Sequence, residues 1–200
     1  MFVPVSGNQQ TRPNVVASWT DDDLTSPVTA VELAVYLGLI DDENASGAPQ
    51  EGMLNGLLLA ATQAVIDFTN VEIVQRDWTV KYDRYPDRNV PFGGLAPIIP
   101  LFAWWVDLPK WPVVSVNSVT AEEWTADVPT GRVEVSGSEH PLVIEFTAGY
   151  NPAPAWATEA IKMIAAYLYE HRGACDATDA VTNSGAKALL RPRRRIVGGL

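Results

Sequence analysis

Positions 1–27 are polar and irregular. Pro4, Pro13 and Pro27 flank the acidic run Asp21-Asp22-Asp23, and the pattern predicts an N-terminal arm. Regular periodicity starts after it. Thr29 and Glu32 have capping-box spacing, and Val28 and Leu33 stand where a hydrophobic staple would close. This predicts a helix over about 30–37, ending near Gly38. An acidic Gly/Pro-containing loop follows at 41–52, and Pro49 suits the first turn of the next helix. Over 53–69, Leu54, Leu57, Leu58, Ala61, Val65 and Phe68 recur at helical spacing and form one apolar stripe. Asn70 is a residue that tolerates the left-handed conformation ending a helix.

The period changes from 71 to 147. Trp78, Val80 and Tyr82 alternate with Thr79, Lys81 and Asp83, the mark of a half-buried strand. Val113–Val119 alternates less cleanly, and Arg132–Val135 and Leu142–Thr147 are further strands rich in β-branched residues. Within this β-rich insertion, residues 91–112 hold Phe92, Phe102, Trp104, Trp105 and Trp111 among five prolines. Chain breakers at that density predict a projecting loop with an apolar contact surface, or a long hairpin whose aromatics fold back on the core. The helical period returns over about 155–172, with Ala157, Ile161, Ile164 and Leu168 on one stripe and Gly173 at the end. A polar loop (174–183) leads to a short helix at 184–190, stopped by Pro192, and Arg193-Arg194-Arg195 begins the end of the chain. The fold class expected is α+β, mainly α. A small helical bundle would occupy 28–190, interrupted by the antiparallel insertion and flanked by extended terminal arms, 1–27 and 191–200.

Charge sharpens this picture. The 200 residues carry a net −10, spread unevenly: residues 1–186 carry −15 and the last 14 carry +5. An acidic body argues against a protein that wraps duplex DNA, which would present a basic face. The basic end reads as an interaction arm or as a solubilising tail. Hydrophobic residues make up 47% and charged residues 19%, a globular composition. Cys175 is the single cysteine, so no intrachain disulfide or zinc-ribbon site can form. No run of 18 apolar residues and no signal-like segment is seen, so a soluble, cytoplasmically made chain is expected.

Catalytic chemistry has little to stand on. His140 and His171 fit no metal pattern and read as surface residues, and a Cys175–His171 pair lacks any supporting signature. Asp21–Asp23 and Asp41–Glu43 lack the spacing of a calcium loop, so solvated loop charge is the simpler reading. Glycine-rich phosphate loops and nucleophile elbows are missing. No catalytic residue, metal or cofactor is therefore assigned.

The order of segments is more specific. The capped Val28–Leu33 helix precedes Leu57–Thr69, and then comes the Trp-containing strand Val74–Val80. Leu108-Pro109-Lys110-Trp111-Pro112-Val113-Val114-Ser115-Val116 follows, then Ile144–Tyr150 with its Thr-Ala-Gly-Tyr ending. A helix holding Leu168-Tyr169-Glu170-His171-Arg172 comes next, and Ala188–Pro192 closes the set. This succession, over about 28–192, resembles the head–tail connector (adaptor) proteins of tailed bacteriophages. Two features depart from it: the aromatic stretch Pro91–Trp105 and the N-terminal arm are both longer than the family pattern. The resemblance implies a non-enzymatic virion protein of the neck, between head and tail, made in the host cytoplasm before assembly. It implies a ring of about twelve copies that docks on the portal protein and offers a platform to a tail or neck protein. The ring would extend the channel through which double-stranded DNA is ejected, without sequence-specific binding and without a membrane. Within that frame, Lys187, Arg191, Arg193, Arg194, Arg195, Ile196, Val197 and Leu200 are the expected portal-docking residues. Phe102, Trp104, Trp105 and Trp111 are the expected contacts to a neighbouring subunit or the tail side. The alternatives are a stopper or tail-terminator protein, or, less well supported, an enzyme with a metal held by scattered Asp and Glu.

Overall fold

The computed structural model describes residues 15–19, 24–41, 47–82, 104–136, 141–171 and 177–195. The first helix, α1 (Ala30–Tyr36), starts at the capping box: Glu32 N–H donates to Thr29 Oγ1 at 3.2 Å and Thr29 N–H to the Glu32 carboxylate at 2.7 Å. Val28 and Leu33 are both buried at this entry. Helix α2 (Glu51–Thr69) begins two residues earlier than the periodicity suggests. It ends at Asn70, whose φ of 54° is the left-handed conformation expected there. Leu54, Leu58, Ala61 and Val65 are buried along its stripe and Phe68 is half-buried.

Helix α3 (Ala155–Glu170) packs its buried Ala157, Ile161 and Ile164 against α2. Leu168, expected on the same stripe, is only half-buried, and the helix stops at Glu170, with His171 as its C-cap. The expected polar loop at 174–183 is corrected: Ala177–Asn183 is a helix, α4. Two consecutive small apolar residues, Ala180 and Val181, seat it on the core, which is too little to leave a helical period in the sequence. The last helix, α5 (Ala186–Leu190), runs into a 3-10 turn at Arg191–Arg193.

The insertion forms two antiparallel sheets. The first has four strands: β1 (Val15–Trp19), β2 (Arg76–Tyr82), β7 (Leu142–Ala148) and β4 (Val113–Val119), in that spatial order. Strand β1 corrects the irregular reading of residues 1–27, since Val15 pairs with Tyr82 and Trp19 with Trp78. The second sheet has three strands in the order β3 (Trp104–Asp107), β6 (Arg132–Ser136), β5 (Glu123–Asp127). Strand β3 corrects the reading of 91–112 as irregular throughout, because its four residues pair with Arg132–Val135. The architecture is α+β, with one apolar core among the helices and a second between the sheets. Trp111 is half-buried and packs against both. Gly149 closes the sheet at φ +118°, where a Cβ would lie 2.6 Å from the carbonyl carbon of Val74, so only glycine fits.

Candidate functional site

The junction of the two cores is built around a buried charge. Glu72 follows α2 and is 1% exposed. Its Oε2 accepts from Arg76 Nη2 and its Oε1 from Lys110 Nζ, both at 2.8 Å. Its N–H donates to the carbonyl of Trp111 at 2.7 Å. The Lys110 ammonium lies 4.2 Å from the centroid of the Trp78 ring. The sequence held a signal for this site, a single carboxylate inside the apolar run Val71-Glu72-Ile73, which was not singled out.

The basic segment joins this junction. Residues 191–195 do not extend freely past Pro192, as the sequence suggested. Arg195 N–H donates to the Thr69 carbonyl at 2.7 Å, and Asn70 Nδ2 donates to the Arg195 carbonyl at 3.1 Å. The Arg194 guanidinium sits 5.6 Å from the Phe68 ring centroid and that of Arg195 sits 4.8 Å from Trp111. The physical cause is the end of α2. Its last carbonyls lack helical partners and carry partial negative charge, so a cationic segment donating an N–H is favoured there. Stacking on an aromatic face adds roughly 0.5–1 kcal/mol for each exposed cation. Lys187, Arg191 and Arg193 are exposed beside it. Ile196, Val197 and Leu200 lie outside the described residues.

The aromatic residues expected to act together are divided. Trp105 is 51% exposed on the outer face of the three-stranded sheet. Trp104 takes the alternate register position, opposite Val135. Trp111 belongs to the junction of the cores and Phe102 lies outside the described residues. Trp124 of β5, 40% exposed and opposite Val135 on the other side, was not anticipated. Neither were Phe68 and Asn70 as seats of the basic segment, a role that needs a contact far along the chain.

Other candidate chemistry is sparse. Among the described residues, no group of three His, Cys, Asp or Glu could hold a metal ion, and no helix is long and apolar enough to cross a membrane. His171 is exposed and stacks on Tyr167 with ring centroids 4.0 Å apart. His140, Cys175 and the Asp21–Asp23 cluster lie outside the described residues, as do Asp42 and Glu43; Asp41 is exposed. Among the described residues, the one strongly shifted group is Tyr82. Burial first, and then the nearby charge of Asp107, push its phenol well above the usual tyrosine range, and its O–H donates to the Asp107 carbonyl at 3.0 Å.

Neither a family model nor a curated protein sequence matches the chain. Solved structures do share its fold. A chain of the virion of a native gene transfer agent particle is 18% identical with a TM-score of 0.61, over 92% of this chain and 98% of that one. A chain from the neck of an empty gene transfer agent particle, computed with C6 symmetry, is 20% identical with the same TM-score, again over 92% and 98%. The chain therefore has, nearly end to end, the fold of a chain found in the neck of a phage-like particle.

Proposed function

We propose that this protein is a structural component of a virion neck: a head–tail adaptor that forms a ring of about twelve copies joining the portal vertex to the tail. The observation that carries the reading is the fold shared almost end to end with a chain of the gene transfer agent neck. The order of sequence segments, which resembles the adaptor family, supports it independently. The role needs no catalytic centre.

Charge suits the task. DNA must slide through the ring without sticking, and a body of net −15 repels phosphate. Five of the 14 basic residues cluster in one segment, where Lys187, Arg191, Arg193, Arg194 and Arg195, with Ile196, Val197 and Leu200 beyond, are the residues proposed to dock on the portal. Guanidinium groups suit such a contact because they pair with carboxylates in a fixed two-point geometry. Trp105 is proposed for the subunit or tail-side contact, with its neighbours Phe102 and Trp104. Trp111 instead holds the root of the basic segment.

The test is to mix the full chain with purified portal rings in the absence of DNA and image the product. The expected result is a second ring stacked on the portal, lost when residues 191–200 are deleted. A chain that ignores portal rings and binds tail tubes is a tail terminator, and the adaptor reading fails. Docking of the deleted chain with unchanged affinity removes the basic segment from the portal contact.

A further inference from the structure

Two surfaces of the described chain complement each other. The first is a groove of about 450 Å³ between α2 and α4, lined by Ala60, Ala64, Phe68 and Val181, with Gln63 and Asp67 on its wall, where Gln63 Nε2 donates to Asp67 Oδ1 at 2.7 Å, and rimmed by Arg194. Arg191 and Arg193 lie exposed in the turn just before Arg194. Among the described residues, none of these three guanidiniums is within ion-pair distance of a carboxylate.

The second is the outer face of the three-stranded sheet. The register sets Trp105, Glu134 and Thr125 in one cross-strand row, Asp107, Arg132 and Asp127 in the next, and Glu123 opposite Ser136. Glu134 thus stands directly opposite an exposed tryptophan and Asp107 two residues along the same strand, with Glu123 and Asp127 on the far strand of the face, and Arg132 between them is held by Asp107 at 2.7 Å. Tryptophan buries roughly 150–250 Å² when covered and is the strongest aromatic partner for a cation. The molecule already uses that pairing internally, with Arg195 over Trp111 and Lys110 over Trp78.

We infer that Trp105 of one copy inserts into the α2–α4 groove of the next, stacking beneath Arg194 against Phe68, while Glu134 and Glu123 face Arg191 and Arg193. The occupant is a second copy of this chain because one sequence carries both the acidic face with its aromatic knob and the largely apolar groove with three arginines at its rim, whose one wall carboxylate, Asp67, already accepts from Gln63. The two patches differ, so the contact is heterologous and repeats from copy to copy, as a ring requires. Its biological setting rests on the neck reading; the contact itself rests on these residues. Arg191, Arg193 and Arg194 then serve the neighbour, which leaves Lys187 and 195–200 of the residues proposed for the portal, and deleting 195–200 rather than 191–200 separates the two contacts.

The test uses sedimentation velocity of the full chain over a range of concentrations at low and high salt. Self-association that strengthens at low salt is expected. Trp105→Ala should weaken it about tenfold or more, the loss typical of an interface hot spot. Ala60→Trp, which fills the groove from an exposed position on α2, should do the same while leaving the unfolding midpoint unchanged. Glu134→Arg and Arg191→Glu should each weaken association, and the double variant should regain it, which a merely structural role for either residue would not produce. A chain that stays monomeric throughout overturns the inference. So does wild-type association by Ala60→Trp, or a double variant no better than its parents. Loss of portal docking with this association intact sinks the adaptor reading instead.

Discussion

Replacing Glu72 by alanine tests whether one buried carboxylate joins the two cores. At an effective dielectric of about 20, a charge pair about 4 Å apart gains roughly 4 kcal/mol, and desolvating a carboxylate offsets several kcal/mol of that. The net worth of the intact cluster is therefore small, but the cost of breaking it is not. Lys110, 29% exposed on a flexible stem, can turn to water when the carboxylate leaves. Arg76, 9% exposed, is held where it cannot rehydrate. Breaking a buried ion pair by removing one partner costs about 3–5 kcal/mol, a large share of the roughly 5–15 kcal/mol that holds a domain folded. Urea unfolding read by linear extrapolation gives the number. A paired Glu72→Met, Arg76→Met variant should lose less than Glu72→Ala alone, since it removes both sides of the buried pair and fills their space with apolar side chains. A loss below about 1 kcal/mol for Glu72→Ala, or a double variant worse than the single, would refute the electrostatic account of this junction.

Leu58, 1% exposed at the centre of α2, should cost about 2–5 kcal/mol as Leu58→Ala through lost transfer energy and a cavity, measured by the same unfolding curves. Gly149→Ala should prevent the chain from reaching the native near-ultraviolet circular dichroism, because the added Cβ meets the Val74 backbone at a positive φ; a native spectrum would show that the turn yields. Tyr82→Phe should lose about 1 kcal/mol at neutral pH with its hydrogen bond. Because its folded pKa is raised, stability from Tyr82 is intact below the unfolded value near 10 and is lost as pH rises beyond it, by about 1.4 kcal/mol per pH unit. The gap between wild type and Tyr82→Phe should therefore narrow between pH 9 and 11, and an unchanged gap contradicts the shift.

What could be read from the sequence was what is local. The Thr29–Glu32 box, the α2 stripe and the Asn70 terminator are decided within a few turns of helix, so the residues concerned stand near one another in the chain. Strands β2 and β7 alternate strongly enough to show themselves. Strands β1, β3 and β5 do not, since each is at most five residues long and is held by partners elsewhere: Val15–Trp19 becomes a strand only because β2 lies beside it. Helix α4 is hidden for a related reason: Ala180 and Val181, its buried hydrophobics among the residues whose burial is described, are adjacent and set no period.

The candidate site divides along the same line. Residue types were legible, because an arginine cluster on an acidic chain and tryptophans among prolines are visible as composition. Their directions were not. Alternation within β3 puts Trp104 and Trp105 at successive register positions, and Trp105 is exposed. Pro192 does stop α5, which ends at Leu190, but a proline is well placed in the first turn of a helix, where its missing N–H is not needed, and it stands in the first turn of the 3-10 segment that follows. The chain therefore continues past it to Arg195, whose N–H meets the Thr69 carbonyl at the exposed end of α2. The stop that the sequence suggested at residue 192 is a docking step, and its partner is a helix terminus made in the first third of the chain. A helix end with unsatisfied carbonyls and an aromatic on either side draws a cationic segment wherever that segment lies in sequence. The same reasoning explains why Arg194 and Arg195 are seated on rings while Arg191 and Arg193 are left exposed: only the former reach Phe68 and Trp111.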